Sequence, residues 1–385
     1  MLKKFTVSNY RSFEKPITLD FTNVGDYDFN EECIKEGLIN KAVIYGKNAV
    51  GKTNLGYAIV DVMTMIPGRI SDVTLRQART KAPGFINAKS NEQVAKFEYV
   101  FQLDSKEIVY NYEKYAVDKL HYESLKIGSE LLYELNFSTE KSDFSNFQKN
   151  PKLASLNLDK LDERISVLKY ILSNANLNKT ATLKKLERFI EGMRSPDSVS
   201  EQMSLDSRAI EHIDYIIKAD RVADLEDFLQ KMDVDIKLKT VAIPGKGKTL
   251  YIDYGVKREP LPFVEYASSG TLSLVELYPY AKIFTTATFM YMDEFDASFH
   301  FGVAKLMLEQ FKKNSKCQTV ITTHNTDLMS NKYLRPDCYL LMFPDKIISL
   351  MNATRRKLRE GHDLEILYQS GGFDILANGI GEKHE

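Results

Sequence analysis

Residues 46 to 53 read Gly46-Lys47-Asn48-Ala49-Val50-Gly51-Lys52-Thr53, and far downstream Asp293-Glu294 follows the apolar run Phe289-Met290-Tyr291-Met292. The first stretch meets the spacing G-x-x-x-x-G-K-[ST] in full. Its glycines let backbone N–H groups approach an anion, its lysine adds a point charge, and its hydroxyl can serve a divalent cation, so the chemistry is phosphate binding. An acid pair at the end of a buried strand complements that loop: one carboxylate holds Mg2+ and the next deprotonates a water. Gly46 through Asn54 are therefore expected to cradle a nucleoside triphosphate, with Lys52 at the β- and γ-phosphates. Thr53 and Asp293 are expected at Mg2+, and Glu294 as the base. A histidine, His324, closes Thr322-Thr323-His324 behind another apolar strand. Its charge is easily shifted, so it can sense the γ-phosphate or polarise the attacking water, and it can equally cap the next helix.

A second anion-seeking feature lies between these motifs. Tyr266-Ala267-Ser268-Ser269-Gly270-Thr271 precedes an apolar-periodic helix expected over Leu272 to Phe284. Serines and a glycine at a helix start offer free N–H groups and the positive end of the helix dipole. The same residues cap the helix whatever else they do.

These groups need elements to place them. Ala42-Val43-Ile44-Tyr45 predicts a strand ahead of the phosphate loop, and Asn54 to Ile66 a helix with a stripe at Leu55, Ile59, Val62 and Ile66, ended by Pro67-Gly68. Residues 2 to 22 predict two strands joined at Glu14-Lys15-Pro16, and alternation at Phe97, Tyr99, Phe101 and Leu103 opens an antiparallel meander running to about Phe137. From 138 to 240 the chain turns charged and helical, with stripes at Leu183, Leu186, Ile190 and Met193, at Ile210, Ile213 and Ile217, and at Val222, Leu225 and Leu229, broken at Ser195-Pro196. A hairpin is expected around Pro244-Gly245, and buried strands at Phe289–Met292, Thr319–Thr322 and Cys338–Phe343 predict a mainly parallel sheet. The expected organisation is thus an N-terminal part, 1–137, a helical insertion, 138–240, and a C-terminal part, 241–385.

Composition bounds the rest. A net charge of −1 over 385 residues gives no global field toward nucleic acid or membrane, so only local patches can do that work. The dense basic run is Arg355-Arg356-Lys357-Leu358-Arg359, read either as a solvated helix face or as a phosphate-backbone contact. Cys33, Cys317 and Cys338 form no C-x-x-C pair, which fits a reducing compartment and argues against a disulfide framework or cysteine metal site. No signal-peptide pattern and no run of apolar residues long enough to span a bilayer is seen, so a cytoplasmic protein without a membrane partner is expected.

Four stretches together resemble the ATP-binding-cassette class of ATPases: Asn9-Tyr10-Arg11-Ser12-Phe13, the GKTN of Gly51 to Asn54, Ser268-Ser269-Gly270-Thr271, and Asp293-Glu294-Phe295-Asp296 with Thr323-His324-Asn325. The likeness is to the branch of the Rad50, SMC, RecF and overcoming-lysogenization-defect ATPases, and within it to small prokaryotic AAA-type ATPases of abortive-infection and other phage-defence systems. The resemblance implies an α/β head, a mixed sheet with a P-loop core and an antiparallel β meander, carrying an inserted helical subdomain. It implies ATP and Mg2+ as ligands, hydrolysis to ADP and phosphate, and Arg11 reaching the ATP phosphates. It implies a homodimer or higher oligomer that sandwiches ATP, with Ser268, Ser269 and Gly270 facing the nucleotide held by the other copy. Glu294 is then the base and His324 the switch residue. A separate effector, a toxin or nuclease encoded nearby, is implied because no nuclease motif is apparent in this chain, with nucleic acid as a further partner. An ATP-clamped regulatory scaffold or a DNA-repair or DNA-binding ATPase and, less well supported, a transporter subunit are the alternatives. Ala267 and Ser269 depart from the common LSGGQ form, His300 stands where many cassettes carry an aspartate, and Gln93 and Gln102 are weak candidates for a Q-loop.

Overall fold

The structure is a computed structural model that describes residues 1–67, 84–139, 141–158, 161–194, 208–245, 247–255, 258–295 and 301–373. Gly68, Ser195-Pro196, Asp296 and His300, and the side chain of Ile210, lie outside the described residues. The chain forms two compact units, Met1–Pro196 with Ala287–Asp293 and Ser315–Glu385, and Asp197–Thr286 with Glu294–Asn314.

The first unit holds two large sheets. One is antiparallel, built from β1 (Leu2–Ser8), β2 (Ile17–Asp20), β6 (Ala95–Leu103), β7 (Lys106–Ala116), β8 (Lys119–Ile127), β9 (Glu130–Asn136) and β10 (Ser142–Asp143), in the order β10-β9-β8-β7-β6-β1-β2. Alternation at Phe97, Tyr99 and Phe101 buries one face, as expected of this meander. A two-stranded ribbon, β3 (Ile34–Lys35) with β4 (Leu38–Ile39), leads into the other sheet. That sheet contains β5 (Lys41–Tyr45), β11 (Met193–Arg194), β15 (Phe289–Met292), β16 (Gln318–Thr322), β17 (Tyr339–Met342) and β18 (Ile347–Ser349), in the order β11-β15-β16-β5-β17-β18. All its pairings are parallel except that of β18, and β5, β15, β16 and β17 are buried at every residue, which is why their sequences read as apolar runs. Gln318, buried in β16, joins the two sheets: its side chain accepts from the Leu2 N–H at 2.9 Å and donates to the carbonyls of Leu2 and Ile39.

Helix α1 (Lys52–Val60) carries the predicted stripe, and Leu55, Ile59, Val62 and Ile66 are all fully buried. The helix expected through Ile66 instead tightens into a 3-10 turn over Asp61–Met65. Asp61 is drawn into the meander there: Lys114 Nζ lies 2.6 Å from its carboxylate, and the Tyr112 hydroxyl donates to it at 2.8 Å. Lys114 and Asp61 are both almost completely buried. Removing one partner leaves the other charge without compensation, so Asp61→Ala is expected to lower stability by about 3–5 kcal/mol, read from denaturant unfolding. A loss below about 1 kcal/mol would contradict this account of the pair.

The stretch 138–240, expected as one helical insertion, is divided between the units at Pro196. Its first part, with α2 (Ser145–Lys149), α3 (Val167–Asn174) and α4 (Thr182–Glu191), belongs to the first unit because it is bonded into the sheets. Buried Glu123 of β8 accepts from the Tyr110, Tyr133 and Ser166 hydroxyls and from the Val167 and Leu168 N–H groups at the start of α3. Met193, read as the end of a helical stripe, instead opens β11 and pairs with Phe289.

The second unit comprises α5 (Arg208–Lys218), α6 (Val222–Lys231), the three-stranded sheet of β12 (Leu238–Ile243), β13 (Gly247–Ile252) and β14 (Leu261–Pro262), then α7 (Phe263–Tyr266), α8 (Ser269–Thr286) and α9 (Phe301–Lys313). The hairpin turns at Pro244-Gly245 as predicted. Ile213, Ile216, Leu225, Leu229 and Val275 form its core, and Phe284 packs on Phe311 with ring centroids 4.4 Å apart. A last short helix, α10 (Leu364–Gln369), returns to the first unit. No described helix is long and apolar enough to cross a membrane, and the three cysteines are buried free thiols.

Candidate active site

The phosphate loop leaves the C-terminal end of β5 and enters α1 through Gly51, whose φ of 111° is closed to ordinary side chains. A Cβ at Gly51 would also stand 2.7 Å from Ser12 Oγ and 2.7 Å from the Phe13 ring, and one at Gly46 would stand 2.9 Å from the Met342 carbonyl. Both motif glycines are thus required by the packing around the loop. Lys47, Asn48 and Ala49 are exposed, Val50 is half-buried, and Ala49 is left-handed at φ 61°. A cavity of about 700 Å3 opens beside the loop, walled by Tyr45, Gly46 to Val50, Phe343 and Tyr368.

Lys52 begins α1 with only 6% exposure. Its ammonium donates to the Gly46 carbonyl at 3.0 Å, to the Lys47 carbonyl at 3.4 Å, and to Nε2 of His324 at 2.8 Å. The Tyr291 hydroxyl, buried in β15, donates to the Lys52 carbonyl at 2.6 Å. Next to Lys52, the Thr53 hydroxyl donates to Asp293 Oδ2, and the Thr322 hydroxyl donates to Asp293 Oδ1 at 2.6 Å. Strand order explains the convergence: β16 lies between β5 and β15, so the ends of three adjacent parallel strands deliver the loop, Thr322 with His324, and Asp293. Such an edge of a parallel sheet is where ligands bind in open α/β folds. A hydroxyl and a carboxylate in contact are hard oxygen donors that suit Mg2+, which takes few protein ligands and leaves the rest to water and phosphate.

The Asn9–Phe13 segment braces this loop residue by residue. The expected turn at Glu14-Lys15-Pro16 is displaced to Tyr10–Phe13, which bond each other's backbones, with Asn9 and Arg11 both left-handed. Asn9 donates to the Glu92 and Val94 carbonyls. Phe13 is buried against Gly51, and Ser12 Oγ accepts from Asn54 at 2.9 Å. The Arg11 guanidinium lies over the Tyr57 ring at 5.0 Å and donates to Asn54 Oδ1 at 3.3 Å, on the first turns of α1. Thr322, Tyr291 and Ser12 acquire roles that spacing did not assign. A hydroxyl residue closing an apolar strand beside the acid strand was the available signal for Thr322.

Glu294, exposed and left-handed at φ 44°, and Ser268, Ser269 and Gly270 belong to the second unit. Ser268 caps α8: its Oγ accepts from the Thr271 N–H at 3.1 Å and bonds the Thr271 hydroxyl at 2.9 Å. Ser268, Ser269 and Gly270 are exposed, and Tyr266 beside them is 58% exposed. Gln93 and Gln102 bond the Asn91 and Asp104 carbonyls through their side chains, and neither bonds the phosphate loop among the described residues.

Residues 41–330 match the sequence profile of a family described as "AAA domain, putative AbiEii toxin, Type IV TA system". The chain has no match among curated proteins. Among solved structures it is similar to the SMC head domain from Thermotoga maritima, at 16% identity and a TM-score of 0.45 over 90% of this chain and 98% of that one. It is also similar to an SMC head bound to the C-terminal winged-helix domain of ScpA, at 16% identity and a TM-score of 0.44 over 90% and 97%. RecF bound to ATP matches at 16% identity and a TM-score of 0.36 over 91% and 99%.

Proposed function

The chain belongs to the AAA-domain family whose description names the AbiEii toxin, and on that premise we propose that it is a Mg2+-dependent ATPase in which two copies close on ATP and act as a switch on a separate effector. The observation that carries the ATPase reading is the meeting of Lys52, Thr53, Asp293, Thr322 and His324 at three neighbouring strand ends. Mg2+, when bound, would be held by Thr53 and Asp293 and would neutralise phosphate charge. Lys52 exchanges its bonds to the Gly46 and Lys47 carbonyls for the β- and γ-phosphates, and Arg11 reaches the same anion from the Tyr10–Phe13 turn. His324, already held by Lys52, faces the γ-phosphate. Glu294 takes the proton of the attacking water. ADP and phosphate are the products.

Gly270 supports the two-copy arrangement. Among the described residues, a Cβ there would meet only Ser268 Oγ, at 3.7 Å. Without a side chain at Gly270, in the first turn of α8, the N–H groups of Ser269 and Gly270 stay open to the nucleotide of a second copy. Gly270→Leu, at an exposed site, is therefore expected to keep ATP binding and fold while losing ATP-dependent dimerisation and hydrolysis. Molar mass by light scattering with and without ATP, and turnover per chain against protein concentration, test this. Full-speed hydrolysis by a strict monomer would defeat it.

The effector is a toxin or nuclease encoded nearby, and the setting is phage defence in the cytoplasm. Co-purification of the neighbouring gene product in an ATP-dependent manner would test that assignment, and indifference of the pair to nucleotide would overturn it.

A further inference from the structure

The basic run near the C-terminus is not the helix face that sequence allowed. Residues after β18 form an irregular loop on which Arg355, Arg356, Lys357 and Arg359 are all exposed. Two apolar residues within it, Ala353 and Leu358, are buried at 0% and 2% exposure and anchor it from below. The Ala353 N–H donates to the Ser349 carbonyl at 2.9 Å, and the Arg359 N–H donates to His362 Nδ1 at 2.9 Å. From the neighbouring segment, the buried Asn331 amide reaches the carbonyls of Arg359, Glu360 and His362, each at 3.0 Å. The loop is thus pinned along its length, and its cations are presented by a fixed backbone.

These charges are not used internally. The chain has no Asp or Glu between Leu350 and Arg359, and among the described residues none of the four cations is paired with a carboxylate. Four like charges within five residues repel one another, and a chain of net charge −1 has ample carboxylates elsewhere to relieve that. We propose that this loop is a docking surface for the phosphodiester backbone of a nucleic acid. Three of the four cations are arginines, whose fork matches phosphate oxygens in pairs. A folded protein partner is disfavoured because such interfaces need apolar anchors at their centre, and both apolar residues of the loop face inward. Contact through backbone phosphates makes recognition independent of base sequence. The surface shares no residue with the nucleotide site, so either reading can fail without the other.

The test uses the full chain and two labelled probes, a random duplex DNA of about 30 base pairs and a single-stranded RNA of similar length, with affinity read by anisotropy. With three or four phosphates neutralised, affinity is expected to fall on the order of 100-fold between about 50 and 200 mM salt. The triple reversal R355E/R356E/K357E should weaken binding at least ~30-fold at low salt and flatten the log–log salt slope by about 3. Its ATP hydrolysis should match the unaltered chain, which shows that it folds. Loop-dependent, salt-steep binding of either probe supports the proposal. Unchanged affinity and slope in the reversal variant, absence of binding to both probes, or loop-dependent binding only to phosphatidylserine vesicles would each overturn it.

Discussion

Lys52→Ala is expected to reduce ATP hydrolysis by on the order of 1,000-fold, the loss typical when a preorganised charge donor is taken from a developing anion. Lys52 is positioned before any ligand arrives. It starts α1, is nearly buried, and is held by two carbonyls of its own loop and by His324. Alanine removes the ammonium and at the same time releases His324 from its donor. Both the charge of Lys52 and the placement of His324 are therefore lost together. The fold should survive, since the buried stripe of Leu55 and Ile59 is untouched. Phosphate release together with ATP binding by fluorescence checks this. A loss smaller than about 10-fold would mean the ammonium is not at the phosphates.

Glu294→Gln should show a different pattern. Removing a general base typically costs about 100- to 10,000-fold in turnover, yet glutamine keeps the shape of the side chain and the contact between Thr53 and Asp293 is left in place. ATP binding is expected to persist, and the ATP-bound dimer to accumulate because its exit step is blocked. Turnover and molar mass measured on the same sample separate the cases. Wild-type hydrolysis in this variant would remove Glu294 from the base role. Lost hydrolysis together with lost ATP binding would assign it to binding instead.

Much of the local structure was legible. The loop of Gly46 to Thr53 and the apolar strands at Phe289–Met292 and Thr319–Thr322 stand where periodicity placed them. So do the meander and the hairpin at Pro244-Gly245. What failed was local too, but overruled from a distance. Met193 continues a helical stripe in the sequence and becomes a strand residue because β15 offers it an edge. The helix expected to Ile66 changes pitch where Lys114 and Tyr112 draw in Asp61. Within the stretch read as a helical insertion, Glu123 ties the start of α3 to the meander.

By itself, the order of amino acids set the chemistry to be expected: which residue types suit phosphate, a hard cation and a proton. Those properties reside in residue type and in the short-range sterics of a glycine loop, both of which spacing records. Only the tertiary structure decided who meets whom. Short buried apolar strands carry no mark of their neighbours, so nothing in their sequences placed β16 between β5 and β15. That one choice brings His324 onto Lys52 and Thr322 onto Asp293. It also lets Gln318 join the two sheets through Leu2 and Ile39. Likewise, the motif Asn9–Phe13 reads as a strand end until Gly51 and Asn54 are packed against it.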